Sequence, residues 1–227
     1  MAETNPTCVP DDDVPAATRI PTNPTHTTQT RKESTPNPPN PHAAHENYLG
    51  PISATPAKMV SVMLKLANVS SASVVFDLGC NDGRVLIAAA VEYGARGVGV
   101  EIDQGACAKA ARLIRDAKVE DLVTIRESDA MLVNDLSDAT VCFVYLLPTG
   151  NKKISKKLMK DLTGGTLVMT YVFRLPKEQW DPYLETVEAV DSTRDRGTNK
   201  GVDTSSFNKV FKYRVPDTKP GWCVVPD

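Results

Sequence analysis

The chain has 227 residues, a mass of 24.6 kDa and a formal charge of −2 at pH 7. Its 26 basic and 28 acidic residues nearly balance, so it lacks the positive charge expected of a protein whose main task is to bind nucleic acid. No apolar run approaches the roughly eighteen residues of a membrane-spanning helix, and we expect no membrane span.

The first 50 residues differ in composition from the rest of the chain. Nine of the seventeen prolines lie there, with nine threonines and five asparagines, and the segment has a net charge of −3. Such a composition buries too little apolar surface to offset the entropy of ordering the chain. We therefore predict a disordered tail followed by one folded domain of about 177 residues, a size sufficient for a single core.

The cysteines and the N-terminal composition bear on the compartment. Five cysteines are present, an odd number without the paired spacing of a metal site, and free thiols are typical of a reducing compartment. Asp11-Asp12-Asp13 and the scarcity of arginine argue against a mitochondrial presequence, and no signal-peptide apolar core is visible. We expect a cytoplasmic protein, with the nucleus as the alternative, and no bound metal.

Regular periodicity begins at Thr55. Thr55-Pro56 is a typical N-cap followed by proline at the first helical position, and apolar residues then recur at three- and four-residue steps to about residue 68. A buried strand is predicted over 73–77, a turn over 78–83 and a helix over 84–93. This pattern indicates a leading helix and a first strand–turn–helix unit.

The alternation of strands and helices continues along the chain. Further strands and helices are predicted in the order strand 97–101, helix 104–117, strand 122–125, strand 139–147, helix 152–162 and strand 166–173. Crossover helices between strands predict a parallel sheet covered on both faces. The last strands, 186–190 and 206–214, are joined by the polar loop 191–204 and should pair antiparallel. The predicted fold class is α/β: a Rossmann-like, doubly wound, seven-stranded sheet, mostly parallel, with a C-terminal antiparallel strand pair.

The strongest functional signal lies at the end of the first strand. Ligands of open α/β sheets bind at the carboxyl ends of strands, so Asp77 and the glycine-containing turn 79–83 line the default site. Glycines there let the backbone approach a ligand closely. Glu101 ends the second strand, where its two oxygens could accept both hydroxyls of a ribose, and Asp129 follows the third strand, well placed for an adenine edge.

Two cofactor classes fit a strand–turn–helix with a ribose-binding acid. A dinucleotide site needs a third glycine for close helix packing, and the turn has Gly79-x-Asn81-x-Gly83 without that third glycine. Asp77 would repel a pyrophosphate but suits a ligand with a cationic amino group and a sulfonium. We therefore predict S-adenosyl-L-methionine as the cofactor, in preference to a nicotinamide or a flavin.

Two motifs carry a resemblance to the class I, seven-stranded S-adenosylmethionine-dependent methyltransferases. They are Val74-Val75-Phe76-Asp77-Leu78-Gly79-Cys80-Asn81-Asp82-Gly83-Arg84 and Gly97-Val98-Gly99-Val100-Glu101. Within that superfamily, Asp82-Gly83-Arg84, the helix after Thr55-Pro56 and Tyr145-Leu146-Leu147-Pro148 resemble one subgroup. It contains lysine methyltransferases acting on ATP-synthase subunit c and on the adenine-nucleotide translocator, and uncharacterised bacterial methyltransferases.

The resemblance also sets the expected boundaries of the domain. It extends over about residues 48–216, and Asn47-Tyr48-Leu49-Gly50 resembles the lead-in of the family and could fold over the donor. We therefore predict a disordered tail over 1–45, a methyltransferase domain over 46–217 and a C-terminal tail over 218–227.

The resemblance implies a role for each candidate site residue. Asp77 and the backbone of the turn would face the methionine part of the cofactor, Glu101 would bind the ribose hydroxyls, and Asp129 with Ala130 would contact the adenine. The cofactor-binding candidates are Asp77, Gly79, Cys80, Asn81, Gly83, Glu101, Ile102, Asp129 and Ala130. The family's middle glycine is Asn81 here, and since asparagine adopts positive φ more readily than other non-glycine residues, we expect the turn to survive.

The acceptor side is expected at the end of the fourth strand. The resemblance implies that Tyr145, Leu146, Leu147 and Pro148 form a substrate-side wall, and Tyr145 is the candidate catalytic residue that would aim the acceptor. This segment replaces the Asn/Asp-Pro-Pro-Tyr/Phe motif of enzymes that methylate planar amides and base amines. No unambiguous general base is visible, which suits an amine acceptor whose pKa is lowered by desolvation.

Three functional hypotheses follow, and the favoured one is a protein-lysine N-methyltransferase. The alternatives are a small-molecule methyltransferase on the same fold and a non-catalytic cofactor-binding scaffold. The expected partner is a protein lysine or a small-molecule amine, and not nucleic acid. A lysine-rich stretch over 152–160 has the spacing of a solvated helix face, which we prefer to a docking surface for an acidic partner or nucleic acid.

Overall fold

The computed structural model describes residues 49–50, 55–190 and 208–224. The tail predicted over 1–45 and the polar loop 191–204 lie outside these residues. The helices are α1 Ala57–Leu66, α2 Arg84–Tyr93, α3 Gln104–Asp116, α4 Pro148–Asp161 and α5 Lys177–Trp180, with a short 3₁₀ helix over Asp181–Tyr183. The strands are β1 Val74–Leu78, β2 Arg96–Glu101, β3 Val123–Glu127, β4 Val141–Val144, β5 Leu167–Tyr171, β6 Leu184–Ala189 and β7 Lys209–Arg214.

The strands form one sheet in the order β3-β2-β1-β4-β5-β7-β6. β1 to β5 pair in parallel, while β7 lies antiparallel between β5 and β6. The predicted fold class is confirmed. The chain builds outward from β1 in one direction through β2 and β3, and in the other through β4 and β5. The carboxyl ends of β1 and β4 therefore meet at a topological switch point, where ligands of open sheets bind.

The core lies on both faces of the sheet, because the central strands are buried on both sides. One cluster joins the sheet to α1 and α2 through residues such as Met63 and Leu86, and the other joins it to α4 through Ile154 and Leu158. All four side chains are essentially inaccessible to solvent. Truncating any one to alanine would cost about 2–5 kcal/mol, so this core fixes the strand ends that carry the candidate site.

Several local details differ from the sequence prediction. α4 begins at Pro148 rather than at 152, with the proline at its first position, and β4 therefore ends at Val144 rather than at 147. α1 has Pro56 as its N-cap residue, so Thr55 is not the cap and Pro56 is not the first helical residue. The short α5 was not predicted, because four residues carry too little periodicity.

Four of the five lysines over 152–160 are exposed, as expected of a solvated face, but the fifth is buried. Lys157 is 9% exposed and donates to the carbonyl of Val133 and, at 2.6 Å, to the carboxylate of Asp161. The predicted C-terminal tail packs on the domain over its described part, since Cys223 is buried and Trp222 lies against the core. Within the described ranges, no helix combines the length and apolar character needed to cross a bilayer.

Candidate functional site

The turn after β1 is held by its backbone against β2. Gly79, Asn81 and Gly83 have φ values of 84°, 49° and 72°, so all three occupy the left-handed region. The turn expected to tolerate Asn81 is therefore formed. The N–H groups of Gly79 and Cys80 both donate to the carbonyl of Val100, at 2.8 and 3.1 Å. These bonds place the turn over the carboxyl ends of β1 and β2, beside the switch point.

Asp77 lies near the end of β1, between Gly99 of β2 and Phe143 of β4. Its side chain is buried, at 6% exposure, and no donor among the described residues hydrogen-bonds to its carboxylate. Burial, followed by the negative charges of Glu101 and Asp82, raises the pKa of Asp77 to about 7. A buried carboxylate without a partner is costly, so this position is suited to a cationic ligand group.

Asp82, in the same turn, is neutralised within the chain. Its carboxylate accepts hydrogen bonds from Arg84 at 2.8 and 2.6 Å and from Lys109 at 3.0 Å. Arg84 also donates to the carbonyl of Thr55 at 3.1 Å, which ties the start of α1 to the turn. The bond from Arg84, with that from Lys109, holds the pKa of the Asp82 carboxyl well below its usual range. Asp82 is therefore a structural anion, unlike Asp77.

Glu101 links the end of β2 to the turn after β1. Its Oε2 accepts the N–H of Asn81 at 2.8 Å, and its Oε1 accepts the N–H groups of Ile102 at 2.9 Å and Asp103 at 3.0 Å. A carboxylate has about four lone-pair positions, and these bonds use three. The remaining capacity lies on Oε2. Glu101 thus combines a structural role with an acceptor position for a ligand hydroxyl.

Asp129 and Ala130 follow β3 and lie beside the end of β2. Ser128 donates its N–H to the carbonyl of Glu101 at 2.9 Å, which joins the two strand ends. The carboxylate of Asp129 accepts the N–H of Met131 at 2.8 Å, and both candidate residues are buried. The structure therefore brings the predicted cofactor-binding residues to one edge of the sheet.

Cys80 is part of this edge but is not poised for chemistry. It is 3% exposed, and burial raises the pKa of its thiol well above the usual range, with further contributions from the charges of Asp77 and Glu101. A Cβ built on Gly99 would lie 2.6 Å from the Cys80 sulfur, so the thiol fills the space left by that glycine. The thiol is a packing group.

We call the region at the carboxyl ends of β4 and β5, around Tyr145 and Leu146, the acceptor edge. It contains a second tyrosine, Tyr171, that the sequence did not single out. The ring of Tyr145 lies 5.0 Å from that of Tyr171, tilted by 52°, and the Tyr171 hydroxyl donates to Asn208 at 2.9 Å. Burial and the neighbouring Tyr145 raise the pKa of Tyr171. Tyr171 ends β5 in the predicted strand 166–173, but strand periodicity alone could not mark it as a neighbour of Tyr145.

A strained turn follows Tyr171. Val172 has a φ of 64°, and Phe173 donates its N–H to the carbonyl of Tyr171 at 2.7 Å, which makes a γ-turn centred on a β-branched residue. The buried amide of Asn151 on α4 donates to the carbonyls of Phe173 at 3.1 Å and Arg174 at 3.2 Å and holds the turn in place. Such strain concentrates at functional sites. Nothing in the sequence pattern predicted a positive φ at valine.

The predicted substrate-side wall is divided between a loop and a helix. Tyr145, Leu146 and Leu147 form the loop after β4, while Pro148 starts α4. A Cβ built on Gly79 would lie 3.7 Å from Leu146, so the substrate-side wall reaches the turn 79–83, which we call the cofactor-side turn. The two sides of the site are contiguous.

The lead-in packs on the same helix. A Cβ built on Gly150 would lie only 2.2 Å from the carbonyl oxygen of Leu49, and one built on Gly50 would lie 3.7 Å from Leu147. Leu49 and Gly50 therefore lie across the start of α4, beside the wall. Asn47 and Tyr48 lie outside the described residues.

These residues fit the predicted cofactor. The Asp77 carboxylate, which has no hydrogen-bond donor among the described residues, suits the cationic amino group. The turn offers backbone at positive φ for close approach, and Glu101 and Asp129 end or follow adjoining strands. Among the described residues, no group of three or more potential ligands could hold a metal ion. The strand order and this acid-lined turn define a class I S-adenosylmethionine-dependent methyltransferase.

Comparison with known proteins specifies the class further. The sequence profile of the ANTKMT methyltransferase domain matches residues 77–183. A protein-lysine N-methyltransferase of Saccharolobus islandicus (strain REY15A) is 37% identical over 133 residues, which are 58% of this chain and 81% of the relative. The chain belongs to the ANTKMT family of class I S-adenosylmethionine-dependent methyltransferases.

Solved structures agree with this assignment. An RNA methyltransferase from Salinibacter ruber, in complex with S-adenosyl-L-homocysteine, is 34% identical with a TM-score of 0.62, covering 74% of this chain and 97% of that one. The m1A22 tRNA methyltransferase TrmK of B. subtilis, 12% identical with a TM-score of 0.53 over 72% and 68% of the two chains, shares the fold alone. The predicted family and the cofactor, S-adenosyl-L-methionine, are confirmed.

Proposed function

We propose that this methyltransferase transfers a methyl group to the ε-amine of a protein lysine. The observation that carries the proposal is the acceptor edge, where the rings of Tyr145 and Tyr171 lie 5.0 Å apart beside Leu146, in place of the motif used for planar amides. The name of the 37% identical relative supports the same acceptor. An apolar, aromatic wall suits an amine that must be neutral when it reacts.

The cofactor-binding roles are part of the proposal. Asp77 would bind the amino group of the methionine part, beside the backbone of the turn 79–83. Glu101 would accept a ribose hydroxyl at its remaining Oε2 position, and Asp129 with Ala130 would contact the adenine. Asp77 is buried and has no hydrogen-bond donor among the residues that the structure describes, and Glu101 lies against the turn; both observations support these roles.

S-adenosylmethionine supplies, when bound, a methyl group already activated by a sulfonium. The chain therefore has to orient the acceptor and exclude water. A lysine amine is protonated in water, and its transfer into the space beside Leu146 and the two tyrosine rings disfavours the charged form, so the proton leaves to solvent. The Tyr145 hydroxyl would accept a hydrogen bond from an amine N–H and aim the nitrogen lone pair, which makes Tyr145 the proposed catalytic residue.

Tritium labelling tests the proposed acceptor. The protein is incubated with cell extract and S-adenosyl-L-[methyl-³H]methionine, and the labelled proteins are hydrolysed to amino acids. We expect tritium in methylated lysine. The Tyr145→Phe variant should label about tenfold more slowly, because one hydrogen bond to the acceptor is lost. Tyr93→Phe, on α2, is the matched control and should keep the full rate.

A second candidate acceptor is RNA, because the 34% identical Salinibacter ruber structure is named an RNA methyltransferase. The labelling experiment separates the two, since protein and RNA are recovered in different fractions. Label confined to RNA, or to small molecules, would contradict the lysine proposal. The near balance of charge in the chain favours the protein acceptor.

A further inference from the structure

A basic groove lies between α4 and the segment 174–179. It has a volume of about 710 Å³, and lysines and one arginine dominate its polar lining. The residues that line it are Pro148, Lys152, Lys153, Ser155, Lys156, Arg174, Leu175, Pro176, Lys177, Glu178 and Gln179. We call it the lysine groove. Five of its lining residues are cationic and one is acidic, so its field is positive.

The two walls of the lysine groove are joined by hydrogen bonds. Ser155 of α4 donates its hydroxyl to the side-chain oxygen of Gln179 at 3.1 Å, and Asn151 of α4 donates to the carbonyl of Arg174 at 3.2 Å. Leu175 forms part of the floor and donates its N–H to the hydroxyl of Tyr213 at 3.1 Å. The groove is therefore a preformed feature, and binding to it requires little ordering of the chain.

The positive charge of the groove is available to a partner. Lys152, Lys156 and Lys177 are exposed and form no ion pair with any residue that the structure describes. Arg174, by contrast, forms an ion pair with Asp181. The field of the groove thus comes mainly from lysines that extend from two different elements.

The groove begins at the acceptor edge of the proposed site. Pro148 lines the groove and directly follows the loop that contains Tyr145. A second depression of about 440 Å³ shares Pro148, Arg174 and Lys177 with the groove and is lined as well by Val172 of the strained turn and by Lys209. A chain whose methylated residue reaches Tyr145 would therefore pass over lysines on its way out.

We propose that the lysine groove docks an acidic segment of the protein substrate, next in sequence to the lysine that is methylated. This inference rests on the proposed protein-lysine activity. Charge complementarity selects acidic side chains. A peptide is favoured over single-stranded RNA, because none of the described residues that line the groove is aromatic and could stack a base, and proline and leucine complete its surface. Phe173 and Phe211 line the second depression and not the groove.

The test compares binding of three fluorescent probes to the full chain with S-adenosyl-L-homocysteine present. One is a twelve-residue peptide with a central lysine and Asp/Glu flanks, the second has Asn/Gln flanks, and the third is a uridine dodecamer. The groove variant carries Lys152→Gln, Lys156→Gln and Lys177→Gln. The control carries Lys65→Gln, Lys118→Gln and Lys160→Gln, three exposed lysines outside both depressions.

We expect the acidic peptide to bind at least tenfold more tightly than the neutral one, and the groove variant to lose about tenfold in affinity, since each exposed charge contact contributes modestly. The control should change by less than twofold. Equal affinity for both peptides, or equal loss in both variants, overturns the proposal. Tighter binding of the dodecamer, with a loss confined to it, also overturns it in favour of nucleic acid.

Methyl transfer to the same peptides is measured separately. If the acidic peptide binds through the groove but its lysine is not methylated, the docking surface stands and the proposed acceptor fails. If both peptides are methylated with the same kcat/KM, the acceptor stands and the docking surface fails. The two proposals are thus distinguishable.

Discussion

The guanidinium of Arg84 donates two parallel hydrogen bonds to the carboxylate of Asp82, from Nε to Oδ1 at 2.8 Å and from Nη2 to Oδ2 at 2.6 Å. Asp82 lies in the turn between β1 and α2 and is buried, and Arg84 is the first residue of α2. Since Arg84 also donates to the carbonyl of Thr55, this pair joins the turn 79–83 to the segment that directly precedes α1. Within the Asp82-Gly83-Arg84 motif, this ion pair stabilises the turn, which is a structural role.

Asp82→Asn should lower the free energy of unfolding by about 2 kcal/mol, because it removes a charged acceptor from Arg84 and Lys109. The wild type should lose the same contribution in acid. The folded-state pKa of Asp82 is depressed, so its stabilisation is present above about pH 4 and fades as the pH falls below that value. Urea unfolding at pH 7 measures the effect of the substitution, and a series that extends below pH 3 follows the progressive loss of this contribution in the wild type.

Glu185→Gln is the matched control, since Glu185 also pairs with two bases, Arg214 and Lys212, but at the more exposed outer edge of the sheet. Its loss should stay below about 1 kcal/mol. Equal losses for the two variants would show that the buried pair has no special role.

The unliganded protein should become less stable as the pH rises from about 4 to about 7. Burial raises the pKa of Asp77 to about 7, whereas the carboxyl ionises near 3.9 in the unfolded chain. Between these values the folded state binds one more proton than the unfolded state, so ionisation favours unfolding as pH increases. Thermal or urea unfolding across this range should show the decline, and Asp77→Asn should remove this part of it.

A bound donor analogue should reverse this loss of stability on ionisation of Asp77, because its amino group places a cation beside the carboxylate. We expect S-adenosyl-L-homocysteine to bind about tenfold more tightly at pH 8 than at pH 6, with proton release detectable by calorimetry in buffers of different ionisation enthalpy. Affinity that does not change with pH in the wild type would place the amino group elsewhere.

Glu101→Ala should weaken binding of S-adenosyl-L-homocysteine by at least tenfold and lower the free energy of unfolding by about 1–3 kcal/mol. Both effects arise because Glu101 would bind the ribose and accepts three backbone N–H groups. Hydrogen exchange should accelerate at Asn81, Ile102 and Asp103. The control is Glu127→Ala, an exposed glutamate paired in register with Glu101 on β3. Unchanged donor affinity in Glu101→Ala would refute the ribose role.

Gly150→Ala should separate the lead-in from the helix beneath it. Alanine is favoured in a helix by about 1 kcal/mol over glycine, but its Cβ would lie 2.2 Å from the carbonyl oxygen of Leu49. We expect the helical content of α4 to remain and the affinity for S-adenosyl-L-homocysteine to fall about fivefold, because the displaced Leu49 would no longer lie beside the substrate-side wall. Gly221→Ala, where a Cβ meets open space, should change neither measurement.

The sequence predicted the fold class because each strand and crossover helix carries its own periodicity. It also predicted that the turn would form with Asn81, whose φ of 49° follows from a local preference of asparagine. Local sequence patterns did not predict the environment of a side chain whose contacts come from a distant part of the chain. Lys157 is buried because it donates to Val133, and Lys152 faces a groove because Lys177 and Arg174 come from another segment.

The burial of Cys80 gives the cofactor-side turn a natural reporter. Alkylating reagents attack thiolates, and this thiol is enclosed and has a strongly raised pKa, so it can react only when the turn opens. Its labelling rate in the folded protein therefore measures the free energy of that local opening. A bound donor should slow the alkylation of Cys80, because it stabilises the closed turn by mass action. The labelling rate of this unreactive packing residue would then report how much of the site is occupied.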